Sequence, residues 1–181
     1  PPPPPLHPLV ARCCLSTGTH LVTSSYVSAE MSQLGEQARS RGLTFLMEMG
    51  LDPGIDHMSA MQVIDEIREA GGTMVAFASY CGGLVAPASD DNPWHYKLSW
   101  NPRNVVLAGQ GGAATFLDRG RVRMVPPHKT FQALTPVEVG GRRYDGYPNR
   151  DSLSYQELYG LQGIQSLVRG TLRGEGYCQA W

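Results

Sequence analysis

Along the first half of the chain the hydrophobic positions change period repeatedly, and each change predicts an element. His20 to Ser28, "HLVTSSYVS", is rich in β-branched and aromatic residues and predicts a strand. Ser28 then stands as an N-cap residue before "AEMSQLGEQARSR", a helix ending at Gly42. Leu43 to Gly50, "LTFLMEMG", is a nearly continuous apolar run, the pattern of a strand buried on both faces of a parallel sheet. Strand, helix and strand complete one βαβ unit. After the "LDPG" turn, Ile55, Met58, Met61, Ile64 and Ile67 recur at helical spacing until Gly71-Gly72, and "TMVAFASYC" returns to a strand pattern.

The second half is less regular. Gly82 to Trp100 is rich in Gly, Pro, Ser, Asp and Asn and predicts a long shaped loop ending in the aromatic run "WHYKLSW". "VVLAGQGGAATFLDRGRVRMV" reads as a Gly-interrupted helix followed by a short strand, and Pro126 to Arg143 matches no element. "YPNRDSLSYQELYGL" offers a turn, a cap at Ser152 or Ser154 and a short helix, and "SLVRGTLRGEGY" a final helix or strand around Gly170. At the other end, residues 1–14 carry a proline run expected to be polyproline II or disordered, with no role in the core.

Composition changes this picture mainly by exclusion. The 181 residues suffice for one domain or parts of two, and a formal net charge of -1 gives no global attraction to nucleic acid or anionic membrane. No apolar stretch is long enough to span a bilayer and no secretory signal is legible, so the expectation is a soluble chain with neither nucleic-acid nor membrane partners. Cys13, Cys14, Cys81 and Cys178 form no CxxC pairs; neither a zinc site nor a disulfide framework is indicated, and Cys81 is expected as a free thiol in a reducing compartment.

The candidate chemistry sits at strand ends. Ligands of open parallel sheets bind at the carboxyl ends of the strands, which here means Ser24, Ser25 and Tyr26 after the first strand and Gly50, Leu51 and Asp52 after the second, in turns that should be neighbours. Asp52 either caps the following helix or faces a ligand. Cys81, at a strand end before Gly82-Gly83, lines a pocket or is inert. His57, early in an amphipathic helix, is read as surface or core. Lys97, Arg103, Arg150, Arg169 and Arg173 are either solvated charges or, with Asp52, the partners of a zwitterionic ligand with several carboxylates. A dinucleotide site needs a G-x-G-x-x-G turn after the first strand; "GQGGAA" (Gly109 to Ala114) lacks the three-glycine spacing and is read as structural.

Taken in order, "LVTSSYVS", "GLDPGIDHM", "SYCGGLVAP", "DNPWHYKLSW", "GYPNRDS" and "RGTLR" closely resemble the glutamate-forming saccharopine dehydrogenases, including the dehydrogenase half of the animal bifunctional aminoadipic semialdehyde synthase, over roughly Leu21 to Tyr177. The resemblance implies an α/β fold: the terminal part of a Rossmann-type parallel sheet over 15–72, then part of an α+β substrate and dimerisation domain over 73–181, behind the leader of 1–14. It implies NAD or NADP as cofactor and saccharopine as substrate. Oxidation of the secondary amine gives an imine, which water hydrolyses to glutamate and 2-aminoadipate 6-semialdehyde, a step of lysine metabolism.

By position in the matching motifs, Ser25 and Tyr26 should touch substrate near the nicotinamide, and Asp52 the substrate amine or the cofactor. Ser24, Ser25, Leu51 and Asp52 belong to the cofactor side. Arg150, with Thr171, Leu172 and Arg173, should hold substrate carboxylates, with Cys81 and Trp100 in the pocket wall. No metal and no assigned general base are implied. The family's "GGLPAPE" is "GGLVAPA" here, from Gly82 to Ala88. The pyrophosphate loop is expected upstream of Pro1, so a partial chain, inactive in isolation, is predicted; the alternatives are a non-catalytic remnant that binds an amino acid or a partner subunit, and a dehydrogenase for a related substrate. A homo-oligomer is implied for the full-length family member, and a mitochondrial location if it is of the animal bifunctional type, otherwise cytoplasmic.

Overall fold

The computed structural model describes residues 6–98, 102, 103, 106 and 112–181. Contacts divide the chain into two compact units, Pro1–Val63 and Ile64–Trp181. The division falls within a helix rather than after it, where the sequence places the boundary.

The first unit opens with helix α1, His7–Thr17, where a disordered leader is expected. The correction has a simple cause. Pro8 occupies the first turn, where its missing N–H is no loss, and Gly18 closes the helix at φ 66°. His7, Ala11 and Leu15 repeat every four residues, so all three lie on one buried face. Ala11 and Leu15 form the core of this unit with Met31, Leu34 and Ala38. Those three belong to α2 (Ala29–Ser40), whose N-cap is Ser28, its side chain accepting from the N–H of Met31 as expected.

On either side of α2 lie β1 (Leu21–Val22) and β2 (Phe45–Leu46), paired in parallel with Leu21 opposite Phe45, so the βαβ unit is present. Both strands are shorter than their sequence patterns. Leu21, Leu43, Phe45 and Met47 pack onto the helical core, whereas Val22 is 64% and Leu46 46% exposed. The run Leu43 to Gly50 is therefore covered on one face by the described residues, not on both, since successive strand residues point to opposite sides. Helix α3, Ile55–Glu69, follows and runs into the second unit.

The second unit is built on a six-stranded mixed sheet. Strand β3 (Ala76–Cys81) runs parallel to β8 (Ser166–Gly174), and β8 is flanked on its other edge by β4 (Ala114–Asp118) and β7 (Arg142–Pro148). β5 (Arg121–Val125) and β6 (Thr135–Val139) complete the order β5-β4-β8-β7-β6, all antiparallel. Both hairpins turn through two residues of positive φ, Arg119-Gly120 and Gly140-Gly141, the geometry that matches strand twist. Within "VVLAGQGGAATFLDRGRVRMV", Val106 is helical, Leu107 to Gly111 lie outside the described residues, and the stretch ends in a β-hairpin of two strands where one short strand is expected. The unassigned stretch Pro126 to Arg143 holds a 3-10 turn, Pro127–Gln132, and β6.

Short helices α4 (Tyr155–Leu158) and α5 (Tyr177–Ala180) follow β7 and β8. No side-chain cap is found at Ser154; Asp151 instead accepts from the N–H groups of Leu153 and Ser154, at 2.9 and 3.3 Å, and Ser152 is fully buried. Leu167 at the sheet centre is fully buried, and Leu161 and Ile164 in the approach to β8 are buried. The architecture is parallel α/β in the first unit and α+β in the second.

Candidate functional site

In the first unit, the turns after β1 and β2 are neighbours. The N–H of Met49 donates to Thr23 O at 3.0 Å, that of Glu48 to Ser25 O at 3.1 Å, and Gly50 lies flat against Ser24, where a Cβ would be 2.8 Å from the serine's own Cβ. Ser24 is exposed and Ser25 half-buried, its N–H 3.3 Å from Thr23 Oγ1. The Tyr26 hydroxyl donates to Asp52 Oδ1. Asp56 accepts from the N–H of Gly54 at 2.7 Å and so takes the helix-capping work for which Asp52 is also suited. Gly54 has no substitute: at φ 148° its Cβ would stand 2.1 Å from Gly50 O. Leu51, 63% exposed, and Asp52 are left at the outer edge of this turn.

His57 is more enclosed than a surface residue, with 16% of its side chain exposed, and its Nε2 lies 3.8 Å from Glu48 Oε2 and 4.0 Å from Asp56 Oδ1. Among the described residues no His, Cys, Asp and Glu group is arranged to hold a metal ion.

In the second unit the candidate residues gather where β3 and β8 end. Leu167, Arg169, Thr171 and Arg173 alternate along β8 and share one face, while Leu172 points to the other. Cys81, half-buried, is the register partner of Thr171. The chain then turns at Gly82, whose Cβ would meet Leu172 O at 2.0 Å and Arg173 Nη1 at 2.8 Å. Only glycine lets the two backbones approach this closely.

Arg173 is held from several sides. Its Nη1 donates to Leu172 O at 3.2 Å and to Gly83 O at 3.3 Å, and its guanidinium lies 4.9 Å from the ring centre of Tyr96 and 5.5 Å from that of Tyr177. Its Nε is buried and meets no hydrogen-bond acceptor among the described residues. The planar fork is therefore fixed with a donor unsatisfied, which in a buried position asks for an anion.

The groups around it are tuned by burial. The Tyr147 phenol is pushed far above its ordinary range by desolvation, offset in part by the Arg173 charge and a hydrogen bond with Thr171. Cys178 is pushed up to about 12, by burial first and then by the Asp145 carboxylate. Asp145 itself accepts from the N–H groups of Gly176 and Cys178, both at 3.1 Å, and so ties α5 back to β7.

Other basic residues are placed differently. Arg169 stacks on Tyr155 at 4.1 Å and is only 9% exposed, so it belongs to the packing of α4 on β8. Lys97 pairs with Asp91 at 2.9 Å. Arg150 is exposed, with φ 51°, and its carbonyl accepts from Thr115 at 2.8 Å. It follows β7 just beyond Pro148, which lies opposite Gly170, so its backbone is held about 10 Å or more along the sheet from Arg173. Trp100 and Gly109 to Gly111 lie outside the described residues; Ala114 opens strand β4, where a dinucleotide turn would open a helix.

Sequence reasoning did not find Tyr96, Tyr177, Asp145 or Glu48. The aromatic runs "WHYK" and "EGY" carried a signal for the first two, since a cation held at a pocket wall commonly rests on such rings.

A family profile described as "Saccharopine dehydrogenase C-terminal domain" matches residues 50–181. The chain is 42% identical over 176 residues to "Alpha-aminoadipic semialdehyde synthase, mitochondrial" of Bos taurus, an alignment covering 97% of this chain and 19% of the relative. It is 43% identical over 174 residues to "Saccharopine dehydrogenase [NADP(+), L-glutamate-forming]" of Pyricularia oryzae, covering 96% and 38% respectively. The solved apo saccharopine dehydrogenase (L-Glu forming) of Saccharomyces cerevisiae superimposes with a TM-score of 0.88 at 39% identity, over 98% of this chain and 40% of that one. The chain thus spans less than half the length of each of these relatives.

Proposed function

From the premise that the chain belongs to the saccharopine dehydrogenase family, we propose that it supplies substrate contacts for the NAD- or NADP-dependent interconversion of L-saccharopine with L-glutamate and 2-aminoadipate 6-semialdehyde. The observation that carries this reading is Arg173, a clamped guanidinium with a buried, unsatisfied Nε. Saccharopine carries three carboxylates, and bidentate recognition of a carboxylate is what such a fork does best.

In the degradative direction, the carbon that becomes the aldehyde loses a hydride and the secondary amine loses its proton, leaving a C=N bond. Water adds to that carbon, and the C–N bond then breaks to release glutamate's amine and the semialdehyde. The dinucleotide, when bound, supplies the hydride acceptor. The exposed Ser24, Leu51 and Asp52, at the carboxyl ends of two parallel strands, suit the nicotinamide end of such a group, with Ser25 beside them. A three-glycine pyrophosphate turn is absent from the 181 residues, so the chain by itself should bind but not turn over.

In this reading Tyr26 and Asp52 meet the substrate amine with an acceptor already oriented by a phenol. Thr171 and Arg173, with the backbone of Leu172, take one carboxylate, Arg150 takes another, and Cys81 and Trp100 are wall residues. Orientation, rather than a dedicated base, is what these residues contribute to the step.

Calorimetric titration of saccharopine into the 181-residue chain tests this. Binding is expected, weakened about tenfold or more in Arg173→Ala and in Arg150→Ala. A folded chain that takes up no saccharopine would overturn the reading, and saccharopine-dependent reduction of NAD+ or NADP+ by the chain alone would overturn the expected inactivity.

A further inference from the structure

The parallel ladder of β1 and β2 contains one residue too many. Thr23 donates to Leu46 O at 2.9 Å, so in a regular parallel pair its own carbonyl would accept from residue 48. It accepts from Met49 instead, and the N–H of Glu48 is turned to Ser25 O. The extra residue is Glu48, at φ 60°, a conformation a non-glycine residue adopts only at a cost. Such bulges bend a strand and re-aim a side chain. Here the side chain is aimed at the turn after β1, where Glu48 Oε1 accepts from the N–H of Val27 at 3.1 Å.

Glu48 therefore grips both neighbours of Tyr26, the carbonyl of Ser25 through its backbone and the N–H of Val27 through its carboxylate. Its second oxygen faces His57 in the first turn of α3, and its own carbonyl lies 2.7 Å from where a Cβ on Gly54 would stand. One residue in a left-handed conformation thus ties the Ser24–Val27 turn to the Gly50–Asp56 turn. Tyr26, held between the two gripped residues, places its hydroxyl on Asp52.

The geometry points to Glu48 as a positioning residue that orients the Tyr26–Asp52 pair toward the saccharopine amine, an inference that rests on the function proposed above. It acts through Tyr26 and needs no contact of its own with substrate. Its carboxylate matters as an acceptor rather than as a charge, so an amide of the same length should replace it.

The test uses the 181-residue chain labelled with 3-fluorotyrosine, the Tyr26 fluorine resonance being assigned by Tyr26→Phe and the resonance of the phenol without the Asp52 carboxylate set by Asp52→Ala. Glu48→Gly accepts the positive φ without strain and removes only the side chain; its Tyr26 resonance is expected at the Asp52→Ala position, whereas Glu48→Gln keeps the native one. Should Glu48→Gly not fold, Glu48→Asn, which tolerates the same φ but is one methylene too short for Val27, is expected to show the same displacement. A native Tyr26 resonance in the folded Gly or Asn variant overturns the inference. Saccharopine affinity should then fall about tenfold in the displaced variant and not in Glu48→Gln, and unchanged affinity despite a displaced resonance also overturns it. Because the resonances are recorded without ligand, a native chain that ignores saccharopine sinks the proposed function and leaves the hydrogen-bond test standing.

Discussion

Adjacent glycines at the end of β3 should respond oppositely to one added methyl group. A Cβ on Gly82 would lie 2.0 Å from Leu172 O, a backbone atom, and 2.8 Å from Arg173 Nη1. Carbon and oxygen need more than about 3 Å, so the backbones would have to separate by about 1 Å or more, and neither can turn aside as a flexible side chain would. Overpacking of this kind costs about 1–3 kcal/mol, and losing a terminal hydrogen bond of the ladder adds about 1 kcal/mol, giving about 2–4 kcal/mol for Gly82→Ala. Among the described residues a Cβ on Gly83 would meet only Tyr96, its ring at 3.6 Å and its hydroxyl at 3.7 Å, ordinary contacts, so Gly83→Ala should stay within about 0.5 kcal/mol of the parent.

Urea unfolding read by tryptophan fluorescence suits the measurement, because Trp94, Trp100 and Trp181 all belong to the second unit. With a urea slope of about 1–3 kcal/mol per molar, the Gly82→Ala midpoint should drop by roughly 1 M while that of Gly83→Ala holds. Since the displaced atoms are Leu172 O and the Arg173 guanidinium, saccharopine affinity should fall in the first variant only. Equal midpoints for the two variants would refute the close approach of β3 to β8 on which this reasoning depends.

In the first unit, Leu34→Ala should cost about 2–5 kcal/mol, because Leu34 is 2% exposed and packs where α1 meets α2; helical circular dichroism in urea reads it, and an unmoved transition would remove α1 from the core. Burial raises the Asp151 carboxyl, but hydrogen bonds from the Thr115 hydroxyl, the Leu153 N–H and Ser154 outweigh it and hold the group below its ordinary value. Its stabilising contribution is therefore complete above about pH 4 and is lost as pH falls through the lowered folded value, so Asp151→Asn should flatten the acid limb of a stability profile, and an unchanged limb would contradict this. Cys178, buried and pushed up to about 12, should resist an aromatic disulfide reagent at pH 8 until the chain unfolds, while exposed Cys13 reacts at once; mass mapping that finds Cys178 labelled early would count against its burial.

Elements whose cause is local were readable in the sequence. Ser28 caps α2 because its oxygen reaches the N–H three residues on, an arrangement that needs nothing beyond those residues. Elements whose cause is a distant partner were not. In "HPLVARCCLSTG" the recurrence of His7, Ala11 and Leu15 becomes a buried face only when α2 supplies Met31, Leu34 and Ala38. β4 was missed in the same way: "ATFLD" follows a glycine-rich run, and pairing with β5 and β8 fixes it as a strand. The length of β2 was overestimated because an apolar run predicts burial on both faces, and the described residues cover only one.

The candidate site divides along the same line. Arg169 and Arg173 stand in one motif, share one face of β8 and look interchangeable in "RGTLR". What separates them is the ring that each meets. Tyr155, from the helix after β7, closes over Arg169 and makes it part of the packing, whereas Arg173 rests on Tyr96 from the long loop and Tyr177 from the last helix. What surrounds each arginine is thus set by tertiary neighbours rather than by the motif. Glu48 shows the converse: it lies in a run whose pattern is that of a strand buried on both faces, but a bulge turns its carboxylate onto the opposite turn. A bulge leaves no composition signature unless glycine occupies it, so Glu48 was hidden by being a non-glycine residue in a position that glycine would fill without strain.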